Sequence, residues 1–305
     1  MTAVLVLVLA LALPAGASAR TKVAVGIGDQ QAGMFTHPDF KRLKIRKARF
    51  FIRWDAMKYP GVRHGAEEWV RAARRAHVRP FLHISTDNLA HKKAKLLSTK
   101  RYRRDVGRLV RHFRKMGVRD WGVWNEANHK SQPTWRSPKR AAQYYRIMRS
   151  VCRGCTIVAL DVLDQRGVER YVRRWFSALP RSYRRSKLRI GIHNYSDTNR
   201  KRSRGTRSII RTVRSRAHRA RFWLTETGGV VNFGRSFPCN ERRAASRLSY
   251  MFRLAKRFDR YVERLYAYNW TGADCNGFDA GLTRSNGSLR PGYFTFRSRI
   301  RTFIR

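Results

Sequence analysis

Eight short apolar runs, separated by stretches of helical periodicity, constrain this chain more than any other feature of its sequence. The runs are of strand length: Val23–Gly28, Ala48–Arg53, Val78–Ile84, Trp121–Asn125, Thr156–Asp161, Leu188–His193, Arg221–Thr225 and Arg264–Asn269. Between them, Ala66–Ala76, Arg103–Met116, Lys139–Val151, Arg166–Leu179, Gly205–Ala217 and Arg242–Phe258 carry apolar residues three or four apart, as at Val106, Leu109, Val110 and Phe113. A strand covered on both faces reads as an apolar run, and a helix lying on a sheet reads as an apolar stripe. The gap between the first two runs is short and its helix is less clear. No linker, repeat or low-complexity segment divides the chain. Eight strands alternating with helices predict an α/β fold, a single (β/α)8 TIM barrel. A doubly wound sheet is the competing solution. It wants a glycine-rich phosphate loop after the first strand, and Gly26-Ile27-Gly28-Asp29-Gln30 lacks the third glycine at the needed spacing.

Ahead of this pattern, Val4–Leu13 is an unbroken apolar run with the length of a signal-peptide core. Pro14 and Gly16 break it, and Ala17-Ser18-Ala19 has the small-x-small form of a cleavage site. No Lys or Arg precedes the run. The alternative is a buried first strand, which seldom ends in a cleavage pattern. The expected organisation is therefore a signal peptide over 1–19 and one domain over 20–305, secreted or held at the cell wall. Later runs fall short of the ~18–20 apolar residues of a membrane span.

Export implies an oxidising compartment for the four cysteines. Cys152 and Cys155 form a Cys-Arg-Gly-Cys unit between a helical segment and a strand, whereas a redox CxxC follows a strand. Four cysteines allow three pairings. We expect Cys152–Cys155 and Cys239–Cys275, the latter joining the loops after the seventh and eighth strands. A four-cysteine zinc site would want close spacing in the second pair as well.

Charge bears on partners rather than on fold. The 53 arginines and 15 lysines face 19 acids, a net charge of +49. A disordered polycation is excluded by a composition that is 42% hydrophobic and 12% aromatic, enough apolar surface to bury a core. The arginines occur in nearly every helix, as a compositional bias spread over solvated faces would place them. The functional reading is attraction to anionic polymers such as teichoic acid, uronic-acid polysaccharide or nucleic acid. The densest cluster, Arg200-Lys201-Arg202-Ser203-Arg204, closely follows the sixth strand. No nucleic-acid-binding motif accompanies it.

In a barrel the chemistry sits at the C-terminal strand ends. Only seven residues are glutamates, and two of them, Glu126 and Glu226, fall at the ends of the fourth and seventh strands. Those strands lie almost opposite each other, so both carboxylates can face one cleft. Paired carboxylates with aromatic and arginine neighbours suit glycosidic-bond cleavage, one as a protonated acid and the other ionised. Arg53, Asn125 and Tyr195 are the expected surroundings of Glu226, and Trp270 the expected flat face for a sugar ring. Asp161 ends the fifth strand as a candidate lining residue, and His83 the third as a barrel residue. Asn128 and His129 follow the acid as rim candidates. The nine histidines show no HExxH or paired spacing, so no metal or cofactor is expected.

These positions resemble the clan A glycoside hydrolases. Trp124-Asn125-Glu126 is similar to their acid/base signature, and Leu224-Thr225-Glu226 to their nucleophile strand. His193-Asn194-Tyr195 resembles their His-x-Tyr pair, whose tyrosine hydrogen-bonds the nucleophile. Arg53 resembles the arginine after strand 2, Trp270 the tryptophan after strand 8, and Arg290-Pro291-Gly292-Tyr293 the closing stretch of several member families. The resemblance spans nearly all of Val23–Ile304. It implies a retaining O-glycosyl hydrolase acting on a polysaccharide or oligosaccharide, with Glu226 as nucleophile, Glu126 as acid/base and Asn125 on the sugar 2-hydroxyl.

Overall fold

The computed structural model describes residues 21–88 and 94–305; the expected leader lies outside them. The chain forms β1 (Ala24–Gly28), β2 (Lys47–Arg53), β3 (Arg79–Ser85), β4 (Asp120–Gly122), β5 (Thr156–Leu163), β6 (Arg189–His193), β7 (Arg221–Thr227), β8 (Asn232–Phe233), β9 (Val262–Tyr268) and β10 (Phe278–Asp279). All but β8 and β10 close a parallel barrel in the order β1-β2-β3-β4-β5-β6-β7-β9. The TIM-barrel expectation is met: eight parallel strands in chain order around one ring.

The outer helices form because each has one stripe to bury. In Thr99–Lys115, Val106, Leu109, Val110 and Phe113 are fully buried, and Ser98 caps the N-terminus by accepting from the Arg101 N–H at 3.1 Å. Asn240 caps Glu241–Arg257 in the same way, through Arg243 N–H at 2.7 Å. The short gap between β1 and β2 holds a single 3-10 turn, Ala32–Phe35, and the six-residue helix Pro38–Leu43.

Inside the lower barrel, Phe81, Val158, Trp223 and Tyr266 form a separate buried plug. Beside it, Arg264 meets Asp120 at 2.5 Å and lies 3.9 Å over the Trp223 ring. This filling leaves the polar residues to the upper end, where β4 stops early. The regular strand ends at Gly122, ahead of the predicted end at Asn125, but backbone pairing continues to both neighbours. Val123 N–H donates to the Val158 carbonyl at 3.1 Å, Asn125 N–H to the Ile84 carbonyl at 2.7 Å and Ala127 N–H to the Asp161 carbonyl at 2.9 Å, and this brings Asn125 and Glu126 to the mouth. Register shifts in β6–β7 and β7–β9, beside Glu226, re-aim that residue. Gly191 on β6 is required by close approach: a Cβ there would stand 2.1 Å from Asp161 Oδ2 and 2.7 Å from Thr225 Oγ1.

Both expected cysteine pairs are joined, Cys152–Cys155 and Cys239–Cys275, each with Cα atoms 5.6 Å apart. The second ties the loop after β7 to the loop after β9, where the antiparallel β8–β10 pair sits. Asn232 braces the same place, donating to the Cys275 and Gly277 carbonyls at 2.7 and 2.8 Å. Among the described residues no helix is long and apolar enough to cross a membrane.

Candidate active site

The mouth of the barrel opens into a cleft of about 560 Å³ with Asn125, Glu126, Tyr195 and Glu226 in its wall. A single oxygen from each glutamate and one His193 ring nitrogen all lie within 4.8 Å of one another. The partners of the two carboxylates differ. Glu226 accepts from Arg49 Nη1 at 2.7 Å and from the Tyr195 hydroxyl at 3.0 Å. Two donors, one on β2 and one in the short helix Tyr195–Asn199 after β6, fix its plane. Burial and the Glu226 charge raise the Tyr195 phenol well above its ordinary value, so it stays a donor.

Glu126 faces His193, whose Nδ1 stands 3.0 Å from Oε1. Burial alone would favour the neutral acid. The hydrogen bond and charge of His193 outweigh it and hold the Glu126 carboxyl below its ordinary range. The imidazole moves the other way. Burial opposes its charge, but Asp161, Glu226 and Glu126 surround it and raise its pKa. The pair thus holds a proton on the histidine side. Glu126 sits at φ 46°, a left-handed conformation unusual for a side-chain-bearing residue. It is secured by Asp161, whose Oδ1 accepts the Glu126 N–H at 3.1 Å.

Asp161 lies beneath the cleft rather than in its wall, which corrects its expected lining position. It is fully buried, 3.1 Å from His193 Nε2, and accepts the Thr225 hydroxyl. His83, also fully buried, is pushed down to about 3 by burial and is neutral. Its Nδ1 accepts from Arg49 Nε at 3.3 Å. Asn128 ties β5 instead of shaping the rim, exchanging hydrogen bonds with the Leu163 backbone at 2.8 and 3.0 Å. His129 does line the cleft, 3.9 Å from Glu126 Oε2.

Two further expectations are corrected. Arg53 does not reach Glu226. It shares the inward parity of Arg49 and Phe51, but four more residues carry it roughly 13 Å up the strand, past the mouth. There it pairs with Asp55 at 2.6 and 3.0 Å and lies 4.6 Å over Tyr59. The arginine that serves Glu226 is Arg49, 1% exposed, which also donates to Asn125 Oδ1. An arginine inside the apolar run Ala48–Arg53, at inward parity, is the signal that would have found it. Trp270 is 2% exposed and edge-packed against His37, Phe40 and Tyr293, so it offers no face to the cleft. The apolar wall comes instead from Tyr268, Phe278, Phe233, Phe237 and Phe51. Phe278 packs on Tyr195 at 5.2 Å and on Phe233 at 5.7 Å.

Glu126, His193 and Glu226 are close enough to ligate one cation. Their donors are engaged, however: both Glu226 oxygens accept from Arg49 or Tyr195, and His193 Nδ1 faces Glu126. With the buried Arg49 guanidinium 2.7 Å away, the set reads as a proton network rather than a metal site.

No protein-family profile matches the chain, and no curated protein matches it in sequence. Its fold is shared with solved glycoside hydrolases. A glucosidase from Croceicoccus marinus superposes with TM-score 0.66 at 14% identity, over 94% of this chain and 68% of that one. Xylanase 10B from Thermotoga maritima gives 0.61 at 12%, over 92% and 95%. A GH113 β-1,4-mannanase gives 0.59 at 13%, over 93% and 99%.

Proposed function

We propose that the chain is a retaining glycoside hydrolase of clan A, exported and acting on a β-linked saccharide. The observation that carries this reading is the pair of opposed carboxylates at the ends of β4 and β7, closer than 4.8 Å at their nearest oxygens and held by unlike partners. Retaining enzymes place their carboxyl groups about 5–5.5 Å apart, and inverting ones leave room for a water between them.

In this reading Glu226, oriented by Arg49 and Tyr195, attacks the anomeric carbon. The Glu126–His193 pair supplies the proton that the departing oxygen takes. The sugar becomes bonded to Glu226, and Glu126 then draws a proton from water, which attacks the same carbon and frees the carboxylate. Asn125, fixed by Arg49, reaches the 2-hydroxyl, a contact that strengthens as positive charge builds on the ring. Tyr268 and Phe278 supply the stacking face expected of Trp270. Asp161 and His83 act through their neighbours as positioning residues. The likeness of fold to xylanases, a mannanase and a glucosidase supports the class.

The test is turnover of a panel of aryl β-glycosides and polysaccharides, with the anomer of the first product read by NMR. Net retention supports the reading. Net inversion, or no turnover of any substrate by folded protein, refutes it.

A further inference from the structure

The cleft does not end at the glutamates. Its wall includes Asp164 and Gln165. A hollow of about 370 Å³ starts at the same two residues and reaches Arg202 and Arg204. A basin of about 580 Å³ then starts at Arg202 and Arg204. The three hollows thus adjoin in a row, each sharing lining residues with the next, and together mark one track. Arg200 stands at the cleft end, 4.9 Å over the Phe237 ring.

The basin is walled by Lys201, Arg202, Arg204, Arg207, Arg211 and Arg257. Few acids offset them. Asp197 is buried 3.4 Å from Arg202 and otherwise accepts the Gly205 and Thr206 N–H groups. Glu169 accepts the Ser208 hydroxyl. The first turn of helix Arg204–Arg214 has no acid. Arginines on other helices share acids at close range: Arg63 and Arg71 meet Glu67, and Arg101 and Arg104 meet Asp105. Like charges gathered around a hollow repel one another and destabilise the compact state unless an anion lies among them.

We propose that this track is an extended substrate channel for an anionic polysaccharide, a chain bearing carboxylate or sulfate groups. The scissile bond lies between Glu126 and Glu226, and charged sugars further along are held by the basin. The proposal rests on the glycosidase reading of the cleft. A polysaccharide fits better than a nucleic acid because the track runs into two carboxylates, which repel a phosphate at every step but accept a sugar whose charges lie further along.

The test is equilibrium binding in a Glu226→Gln background, which prevents turnover. The probes are polygalacturonate for carboxylate, dextran sulfate for sulfate, and xylan as a neutral chain. Arg204→Gln, Arg207→Gln and Arg211→Gln are combined in one variant. A control loses equal charge at Lys100, Arg103 and Arg146, which wall a separate hollow of about 510 Å³ sharing no lining residue with the track. We expect the basin variant to weaken one or both anionic probes at least about fivefold, from the summed worth of exposed ion pairs, and the control less than about twofold. Replacing the same three arginines by lysine keeps the charge and most of the affinity, which separates recognition from misfolding. Raising salt from 0.1 to 1 M, which shortens screening from about 10 to about 3 Å, weakens the anionic probes alone. Equal loss in basin and control variants, or equal affinity for xylan, overturns the channel. So does single-stranded DNA binding more tightly than both anionic polysaccharides and being lost in the basin variant. Unchanged polyanion binding in the basin variant, with hydrolysis of a neutral aryl glycoside by protein that retains Glu226, overturns the channel and leaves the glycosidase reading. Basin-dependent binding with no hydrolysis of any glycoside by protein that retains Glu226 overturns the glycosidase reading instead.

Discussion

At the scale of single residues, the two carboxylates are distinguished by what touches them. Glu226 has an arginine and a phenol; Glu126 has an imidazole. Their truncations should therefore differ. Glu226→Ala should abolish turnover of every substrate. Glu126→Ala should keep measurable turnover of aryl glycosides with good leaving groups, and azide should accelerate it, because such a group needs no acid and a small anion can replace water. Hydrolysis by the Glu226 variant at the wild-type rate would refute the assignment. Arg49 bridges Glu226 and Asn125 through separate guanidinium nitrogens, a fork that an ammonium cannot reproduce. Arg49→Lys should lower kcat by about 100-fold, the cost of losing one preorganised donor, with a melting temperature near that of the parent. A kcat within a factor of two of the parent would show that Arg49 only balances charge.

At the scale of elements, the loops after β7 and β9 act as one unit. Cys239–Cys275 closes 36 residues, and the β8–β10 pair flanking the bond carries Phe233 and Phe278 to the cleft. Closing a loop of that length contributes about 3–4 kcal/mol by chain entropy. The Cys152–Cys155 loop spans three residues and contributes less. The joint substitution Cys239→Ser and Cys275→Ser should raise KM more than it lowers kcat, since the aromatic wall moves while the glutamates stay on barrel strands. Steady-state kinetics before and after reduction of the parent should reproduce the same split. A fall in kcat at constant KM would place the bond's effect on the glutamates instead.

At the scale of the whole molecule, the buried network couples folding to pH. His193 is raised above its ordinary 6.5, so its contribution is complete below that value and is lost as pH rises through the folded one. Glu126 and Asp161 are lowered from 4.5 and 3.8, so theirs is complete above those values and is lost as pH falls. Together they stabilise the fold most between about pH 4.5 and 6.5. Melting temperature against pH should show that plateau. His193→Gln should melt lower within it, leaving Glu126 and Asp161 without their charged partner, and should lose the decline above it. A decline of unchanged slope in the variant would assign that limb to other groups.

Much of this was legible beforehand. The order of eight strands, the amphipathic helices, both cysteine pairs and the placement of Glu126, Glu226 and Tyr195 at the mouth all follow from periodicity and chain order. Which end of a parallel strand points to the mouth is set by chain direction. Rotation about the strand and height within the barrel are not. Those two quantities decided the rest. Height put Arg49 under Glu226 and carried Arg53 beyond it. The path after β9 turned Trp270 into the core, leaving Tyr268 at the end of β9 and Phe278 on β10 to face the cleft. The joining of the basic cluster at Arg200–Arg204 to the cleft depended on distant segments, since Asp164 and Gln165 follow β5 and Arg257 ends a helix after β7. Local pattern specifies what each segment becomes; which side chains meet across the barrel is a property of its closure, because no segment carries the coordinates of its partners.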